Sequence, residues 1–203
     1  MTPQDKNTEI LILETARLVF VEKGFDGARM QEIADRAGIN KALLHYYYRS
    51  KQKLFEAIFN ESFKKIIPRI LEFMGSSMSL ADKIEGFVSS YIDLLITDPH
   101  LPSFVLHELY RNPDRIGNMV LTSGINPNII NDQLAKQMTK ENYTKIEPQQ
   151  LLVNIIALCV FPFVARPILQ TVLFEKDPEK YRQFIESRKQ EVTRFILNAL
   201  EKS

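Results

Sequence analysis

The sequence predicts an all-α protein, and two observations lead to that prediction. Glycine is scarce, at 7 of 203 residues, and no stretch alternates apolar and polar residues with the period of two that a half-buried β-strand requires. The composition, with 45% hydrophobic and 25% charged residues, is that of an ordinary globular protein. The chain is long enough for one or two compact domains, each with its own core.

The clearest local pattern is a pair of short helices between Ala28 and Lys53. The first helix carries four apolar residues at the spacing i, i+3, i+4, i+7: Met30, Ile33, Ala34 and Ala37. Gly38 follows at the position where a helix ends in the left-handed region, and Asn40 can cap a second helix. Leu44 and Tyr48, one turn apart, then face inward. Two short helices joined by a glycine-containing turn are typical of a helix-turn-helix.

The rest of the second helix has no intramolecular role in this pattern. Its outward residues are Lys41, Ala42, Leu43, His45 and Tyr46. From Arg36 to Phe55 there are five basic residues and no acidic one, although the whole chain has a formal net charge of +1. A local basic strip on a nearly neutral protein suits contact with DNA phosphates. The alternative is a solvated helix end that happens to be basic, and charge alone does not separate the two.

The run GFDGARMQEIADRAGINKALLHYYYRSKQKLFEAIF, from Gly24 to Phe59, resembles the DNA-binding domain of TetR/AcrR-type transcriptional regulators. The matching features are Gly-Phe at the end of the N-terminal helix, E-I-A, A-G-I, and L-x-Y-Y-Y-x-S-K. The resemblance covers about the first third of the chain. It implies an all-helical homodimer that usually represses transcription and is usually released from DNA by a small ligand. We therefore expect a DNA-binding domain over residues 1–50 and an effector-binding and dimerisation domain over residues 51–203.

The sequence departs from the family pattern in two places. The second helix of the family commonly opens with Thr or Ser, where Ala28 and Arg29 stand here. The recognition helix commonly carries Gly-Thr-Leu-Tyr, where this chain has Ala-Leu-Leu-His, and Leu43 offers only apolar contact, for instance to a thymine methyl group. We expect Arg29 and Lys51 to position the protein on phosphates, and Lys41, His45 and Tyr46 to read bases. The full expected set of DNA contacts is Arg29, Lys41, Ala42, Leu43, His45, Tyr46, Tyr47 and Lys51.

The remaining helices are predicted from caps, prolines and glycines. The first begins at Asn7 or Thr8 and ends at Gly24, and Ser50 caps the fourth, which runs from Lys51 toward Met74 and contains Pro68. Later starts are expected at the capping box Ser79–Asp82, at Asp98–Pro99, at Pro127, at Pro148 and at Asp177–Pro178. Loops are expected over Gly117–Asn126 and Glu141–Glu147. This gives nine helices.

The two C-terminal helices carry more apolar surface than one subunit can hide. Leu151 to Ala165 holds one polar side chain, Asn154, and is shorter than the ~20 apolar residues that span a membrane, so it predicts a helix buried on all sides. The resemblance implies that these helices form the dimer; the alternative is an intrachain core. The expected interface residues are Leu151, Ile155, Tyr181, Ile185, Val192 and Phe195.

No pattern supports catalysis, a metal or a cofactor. The three histidines lack metal-ligand spacing, Cys159 stands alone in an apolar run, and no phosphate-binding glycine loop or nucleophile elbow is found. The start MTPQDKNTEI lacks the features of a signal peptide, so we expect a cytoplasmic protein. An effector cavity is expected only through the resemblance, because each aromatic residue taken alone fits a core better than a cavity wall. Its candidate wall residues are Phe63, Phe87, Tyr91, Phe104, His107 and Phe161.

Three functions remain open. The first is a homodimeric transcriptional regulator, a repressor at palindromic operators on double-stranded DNA, released by a small, partly apolar effector and without contact to membranes. The second is an effector-independent architectural or adaptor protein that binds DNA and has a solidly packed C-terminal domain. The third is a helical ligand-binding protein that has lost operator recognition, for which Leu43 and the missing Thr are the only support.

Overall fold

The computed structural model describes residues 3–111, 113–122, 126–143 and 146–200. Over these ranges the chain forms eleven α-helices and no β-strand, which confirms the predicted all-α fold. The helices are α1 (Pro3–Gly27), α2 (Met30–Arg36), α3 (Lys41–Tyr47), α4 (Lys51–Gly75), α5 (Leu80–Thr97), α6 (Leu101–Arg111), α7 (Pro113–Thr122), α8 (Pro127–Lys140), α9 (Pro148–Val164), α10 (Arg166–Val172) and α11 (Pro178–Ala199).

The chain divides into two compact units. The first consists of Met1–Lys64 and Ser103–Met119, and the second of Lys65–Pro102 and Val120–Ser203. Helices α4, α6 and α7 contribute residues to both units. The boundary expected at residue 50 falls inside the first unit, because the first half of α4 packs against α1.

An aromatic cluster forms the core of the first unit. The ring of Phe55 on α4 lies 5.4 Å from that of Phe20, 5.3 Å from that of Phe25 and 4.7 Å from that of Phe104, measured between centroids. Phe20, Phe55 and Phe104 are almost completely buried. Aromatic pairs at these separations add to the free energy gained by burial. The cluster therefore fixes α1, α4 and the start of α6 to one another.

Side-chain caps begin four helices where the sequence predicts them, whereas α1 begins at Pro3, before the predicted caps Asn7 and Thr8. The Asn40 side chain accepts a hydrogen bond from Leu43 N at 2.7 Å, and Ser50 Oγ accepts one from Lys53 N at 3.1 Å. Ser79 Oγ accepts from Asp82 N at 3.2 Å, and Asp177 Oδ1 from Glu179 N at 2.8 Å. Gly24 interrupts α1 with φ 69° and ψ 175°, after which one more turn runs to Gly27.

Later elements differ from the sequence prediction in three places. The helix predicted to start at Asp98–Pro99 begins at Leu101, and Asp98 N donates to Leu94 O at 2.8 Å at the end of α5. The loop predicted from Gly117 is helical as far as Thr122, within α7, and residues 123–125 lie outside the described ranges. The chain after Ala165 forms the separate helix α10, which the sequence reading missed.

In the second unit, α11 packs against α5 and α9. The buried side chains at this packing include Val88 and Ile92 of α5, Leu151 of α9, and Ile185 and Val192 of α11. Within the described ranges, no single helix is both long and apolar enough to cross a membrane; α9 and α10 together would be, but they are bent by 68° at their junction.

Candidate DNA-binding interface

The turn between α2 and α3 is built around Gly38. Its φ of 64° lies in the left-handed region, where a Cβ would be strained. Gly38 N donates to Asp35 O at 3.2 Å and Ile39 N donates to Ala34 O at 3.0 Å. These two bonds are the Schellman arrangement that ends a helix. The turn therefore sets the direction in which α3 leaves α2.

Helix α3 turns one face inward and leaves the opposite face exposed. Leu44 is fully buried, and Tyr48, at the C-cap, is buried with its hydroxyl donating to Glu9 Oε1 at 3.1 Å. Burial, more than the nearby Glu9 carboxylate, raises the pKa of Tyr48 well above its usual value, so the phenol stays neutral. Outward-facing side chains are Lys41, Ala42, His45 and Tyr46, and Tyr46 is 81% exposed. Leu43 is half-buried.

The cations around α3 fall into two classes. Arg36 pairs with Glu22 and Glu32 at 2.8 Å, and Lys53 pairs with Glu56 at 2.9 Å. These acids neutralise two of the five bases in the strip predicted from the sequence.

The second class consists of Arg29, Lys41 and Arg49. Each is exposed, and among the residues that the structure describes none of the three has an ion pair. Arg29 is the N-cap residue of α2 and its side chain makes no capping hydrogen bond. Exposed cations without a counterion are suited to replace the counterions of DNA phosphates.

Lys51 has an intramolecular role that sequence reasoning missed. Its Nζ donates to Ala28 O at 3.0 Å and to Asp26 O at 3.2 Å, and it lies 4.7 Å from the centroid of the Phe25 ring. The ammonium group therefore holds the segment between α1 and α2 against the start of α4. The partner expected for Lys51 from the sequence was a DNA phosphate.

The side chain of His45 is oriented by the backbone just beyond α3. Its Nδ1 lies 3.3 Å from Arg49 O. Because a carbonyl oxygen can only accept, Nδ1 carries the proton, and in the neutral ring Nε2 presents a lone pair. His45 is exposed, so Nε2 can accept from a base amino group in the major groove.

Tyr46 and Tyr47, though adjacent, differ in their surroundings. The Tyr47 hydroxyl lies 3.4 Å from Asp5 O and 3.4 Å from Asp5 Oδ1 near the start of α1. Burial and then the Asp5 carboxylate raise the pKa of Tyr47. Tyr46 packs edge-on against Tyr47 with centroids 5.6 Å apart and is otherwise open to solvent. Tyr46 is therefore the better placed of the two for contact with DNA.

The candidate effector residues are divided between the two units. Phe104 belongs to the aromatic core of the first unit, whereas the rings of Phe87 and Tyr91 in the second unit lie 5.5 Å apart between centroids and are tilted by 32°. Burial raises the pKa of Tyr91 to about 12. Phe161 is 62% exposed. The side chains of Phe63 and His107 lie outside what the structure describes.

Most of the predicted dimer contacts lie inside the subunit instead. Leu151, Ile155, Tyr181, Ile185 and Val192 are buried by the packing of α5, α9 and α11, so they cannot face a partner in this structure.

Phe195, in contrast, is 65% exposed. The prediction that α9 is buried on all sides is wrong for the chain alone, because its other face is open. The exposed large apolar side chains of α9, α10 and α11, called here the C-terminal apolar set, are Leu152, Val153, Ile156, Phe161, Ile168, Val172, Leu173 and Phe195.

Residues 12–58 match the family model described as bacterial regulatory proteins, tetR family. YttP of Bacillus subtilis, a probable HTH-type transcriptional regulator, is 25% identical over 179 residues, which are 86% of this chain and 86% of YttP. The HTH-type transcriptional activator FasR of Mycolicibacterium smegmatis is 26% identical over 96 residues, 47% of this chain and 43% of FasR.

Solved structures share the fold over the whole chain. The fatty acid degradation regulator FadR of Bacillus halodurans superposes with a TM-score of 0.69 at 16% identity, covering 100% of this chain and 99% of FadR. The transcriptional regulator FadR of Bacillus subtilis, solved in complex with stearoyl-CoA, gives 0.62 at 17% identity, covering 91% of this chain and 97% of that one. The helix-turn-helix, the matching family model and the shared fold define a DNA-binding regulator. Residues 12–58 thus belong to the tetR family of bacterial regulatory proteins, and the chain as a whole shares the fold of solved transcriptional regulators.

Proposed function

We propose that the protein binds a palindromic operator as a homodimer and represses transcription until a small, partly apolar effector releases it. The observation that carries the DNA-binding part is the exposed face of α3 with Lys41, His45 and Tyr46. Arg29 and Arg49 flank this face, and neither has an ion pair with any residue that the structure describes. In this proposal Arg29 and Arg49 contact phosphates, while Lys41 and His45 contact the edges of bases.

The C-terminal apolar set supports the homodimer. Eight large apolar side chains on α9, α10 and α11 are each at least 37% exposed, which is unfavourable in water. Stable homodimer interfaces commonly bury ~2,000 Å² or more and are rich in such residues. A two-fold dimer would present two copies of α3 to two half-sites of a palindrome.

The proposed effector acts by changing the spacing of the two α3 helices. Helix α4 begins next to α3 and has residues in both units, and Pro68 within it removes one backbone hydrogen bond. Two recognition helices must fit half-sites about 34–36 Å apart or a multiple of that spacing, so a small tilt of α4 disfavours simultaneous docking. About 1–3 kcal/mol of coupling between the ligand and the DNA is sufficient. The FadR structure with stearoyl-CoA supports a ligand with a long apolar part.

Selection of bound sequences from random DNA tests the operator, and a release assay on the recovered fragment then tests the effector. We expect an enriched motif with two-fold symmetry, and a reporter driven through that motif should be more active without the protein. Enrichment of an asymmetric motif would contradict the palindrome. A compound that binds the second unit at saturation without changing DNA affinity would favour the effector-independent alternative.

A further inference from the structure

Arg188 on α11 is a cation that points inward. It follows Tyr181 and Ile185 and precedes Val192 on the face of α11 that packs against α9 and α5, and these three neighbours are buried. Its Nη2 donates to Leu158 O of α9 at 2.7 Å, and its guanidinium carbon lies 5.9 Å from the Phe184 ring centroid. An arginine at such a position is uncommon without a charged partner.

Pro162 explains the bond between Arg188 and Leu158. Proline has no N–H, so the carbonyl four residues earlier, that of Leu158, loses its helical donor inside α9. The Nη2 of Arg188 takes that role, and the Tyr181 hydroxyl donates to Pro162 O at 3.0 Å. A neutral donor could make the same hydrogen bond, so the positive charge at residue 188 needs a separate explanation.

Among the described residues, no carboxylate balances the charge of Arg188. Its Nε is buried and has no hydrogen-bond partner, and in the part of the chain that the structure describes no carboxylate forms an ion pair with it. Two titratable groups of this region, Cys159 and Tyr91, are kept neutral because burial raises the pKa of each to about 12. The Arg188 side chain is half-buried, and a partly desolvated guanidinium is stabilised when an anion pairs with it.

We propose that Arg188 anchors the anionic head group of an effector whose remainder is apolar, a carboxylate or phosphate on an aliphatic tail. This inference rests on the proposed function, since it names the chemistry of that effector. The fork of remaining N–H groups on the guanidinium matches the oxygens of a carboxylate or a phosphate. The buried neighbours on α9 and α11 and the adjacent rings of Phe87 and Tyr91 provide apolar surroundings.

The test compares three eight-carbon probes, octanoate, octyl phosphate and octanol, by the rise in the thermal unfolding midpoint of the full chain. We expect both anions, or one of them, to raise the midpoint of the wild type more than octanol does, and the larger rise distinguishes carboxylate from phosphate. Equal shifts with all three probes in the wild type would overturn the proposal without recourse to any variant.

Two substitutions locate the effect. Arg188→Gln keeps a donor for Leu158 O but removes the charge, and it should weaken binding of the preferred anion roughly tenfold or more. Arg188→Lys keeps the charge and should retain part of the preference for the anion. The matched control is Arg182→Gln on the exposed side of α11, where Arg182 pairs with Glu179. Wild-type affinity for the anion in Arg188→Gln would overturn the proposal.

Two further readouts separate this proposal from its alternatives. If the counterion were a carboxylate of a second copy, Arg188→Gln would lower the mass measured by light scattering and the wild type would not distinguish the anions from octanol. DNA affinity measured with and without the preferred anion reports on the proposed function. Charge-selective binding that leaves DNA affinity unchanged supports the Arg188 site and contradicts only the regulatory role of the ligand.

Discussion

At the scale of single residues, acidic neighbours decide which cations around α3 can reach DNA. Arg36 and Lys53 lie within 2.9 Å of carboxylates, whereas Lys41 and Arg49 are exposed and have no ion pair among the described residues. Removing a paired surface lysine costs little, because its charge is already compensated. Substitutions of Lys41, which has no ion pair among the described residues, and of Lys53, which pairs with Glu56, can therefore be compared directly.

Lys41→Ala should weaken binding to the selected operator by about 1–3 kcal/mol and relax the base preference at one position of each half-site. Lys53→Ala should change affinity much less, because Glu56 already pairs with that ammonium group. Fluorescence anisotropy on operator and random duplexes measures both effects. Equal losses of affinity for the two variants on both duplexes would show that ion pairs within the subunit do not determine which lysine contacts DNA.

Lys51→Ala should reduce the stability of the DNA-binding region as well as its affinity. The variant loses two hydrogen bonds to Asp26 O and Ala28 O and the contact with the Phe25 ring, which together are worth about 1–3 kcal/mol. Urea unfolding of the wild type and the variant gives this difference. Lys53→Ala, two residues away, is the matched control and should unfold like the wild type. A Lys51→Ala protein of unchanged stability and lower DNA affinity would instead assign Lys51 to phosphate alone.

Residue-level predictions succeeded where the partners are close in sequence. The side chains of Asn40, Ser50 and Ser79 each accept a hydrogen bond from the backbone N–H three residues ahead. The order of residue types along the chain is therefore enough to predict each of these bonds. The partners of Arg36 and Lys51 include Glu22 and Asp26, which are 14 and 25 residues away, and no local pattern reports them. The five bases were therefore recognised as a strip, but their division into free and occupied groups required the fold.

Cys159 should be unreactive in the folded protein, as the sequence suggested for a thiol in an apolar run. Burial raises its pKa to about 12 from an ordinary value of 9.0. The native state keeps the proton while the unfolded thiol loses it, so the free energy of unfolding should fall as the pH rises from about 9 toward about 12. Cys159→Ala should make that fall shallower.

Labelling with an aromatic disulfide reagent at pH 8 checks the same point directly. The folded protein should react far more slowly than the protein in urea, because the thiolate is the nucleophile and the thiol is buried. Rapid labelling without denaturant would mean that Cys159 is accessible to solvent, which would contradict the burial of the apolar region beside Arg188.

At the scale of helices, capping residues and prolines located most starts, and the errors fall at α6, α7 and α10. Asn126 and Pro127 begin α8 and Pro148 begins α9, as predicted. Gly117 suggested a loop, but it lies within α7 and a Cβ there would meet nothing within 4 Å, so this glycine serves no turn. The sequence predicts the apolar stripe of α11. It does not predict which residues of that stripe pack inside the subunit and which stay exposed.

Phe195→Glu should convert the dimer to monomers or make the protein insoluble. Phe195 is 65% exposed on α11, and a carboxylate there would be desolvated inside an apolar interface. Gln190→Glu places the same charge at another exposed position of α11 and should leave the mass unchanged. Light scattering over a concentration series measures the mass. A Phe195→Glu protein that keeps the full dimer mass would remove Phe195 from the interface.

At the scale of the whole molecule, the fold class and the location of the helix-turn-helix were predictable because both depend on periodicity and local turn chemistry. The surface that remains open after the subunit has folded was not predictable, since it depends on which side of α9 and α11 meets α5. The α3 face that we propose to read DNA is specified by local sequence, whereas the C-terminal apolar set and the inward Arg188 are revealed only by the packed structure.

The central claim is that the exposed face of α3 recognises a particular DNA sequence. The most direct measurement is the ratio of affinities for the selected operator and for random duplex of equal length, taken at two salt concentrations. We predict a ratio of roughly a thousandfold or more, with binding to both duplexes falling as salt increases. Equal affinities for the operator and the random duplex at both salt concentrations would contradict the claim.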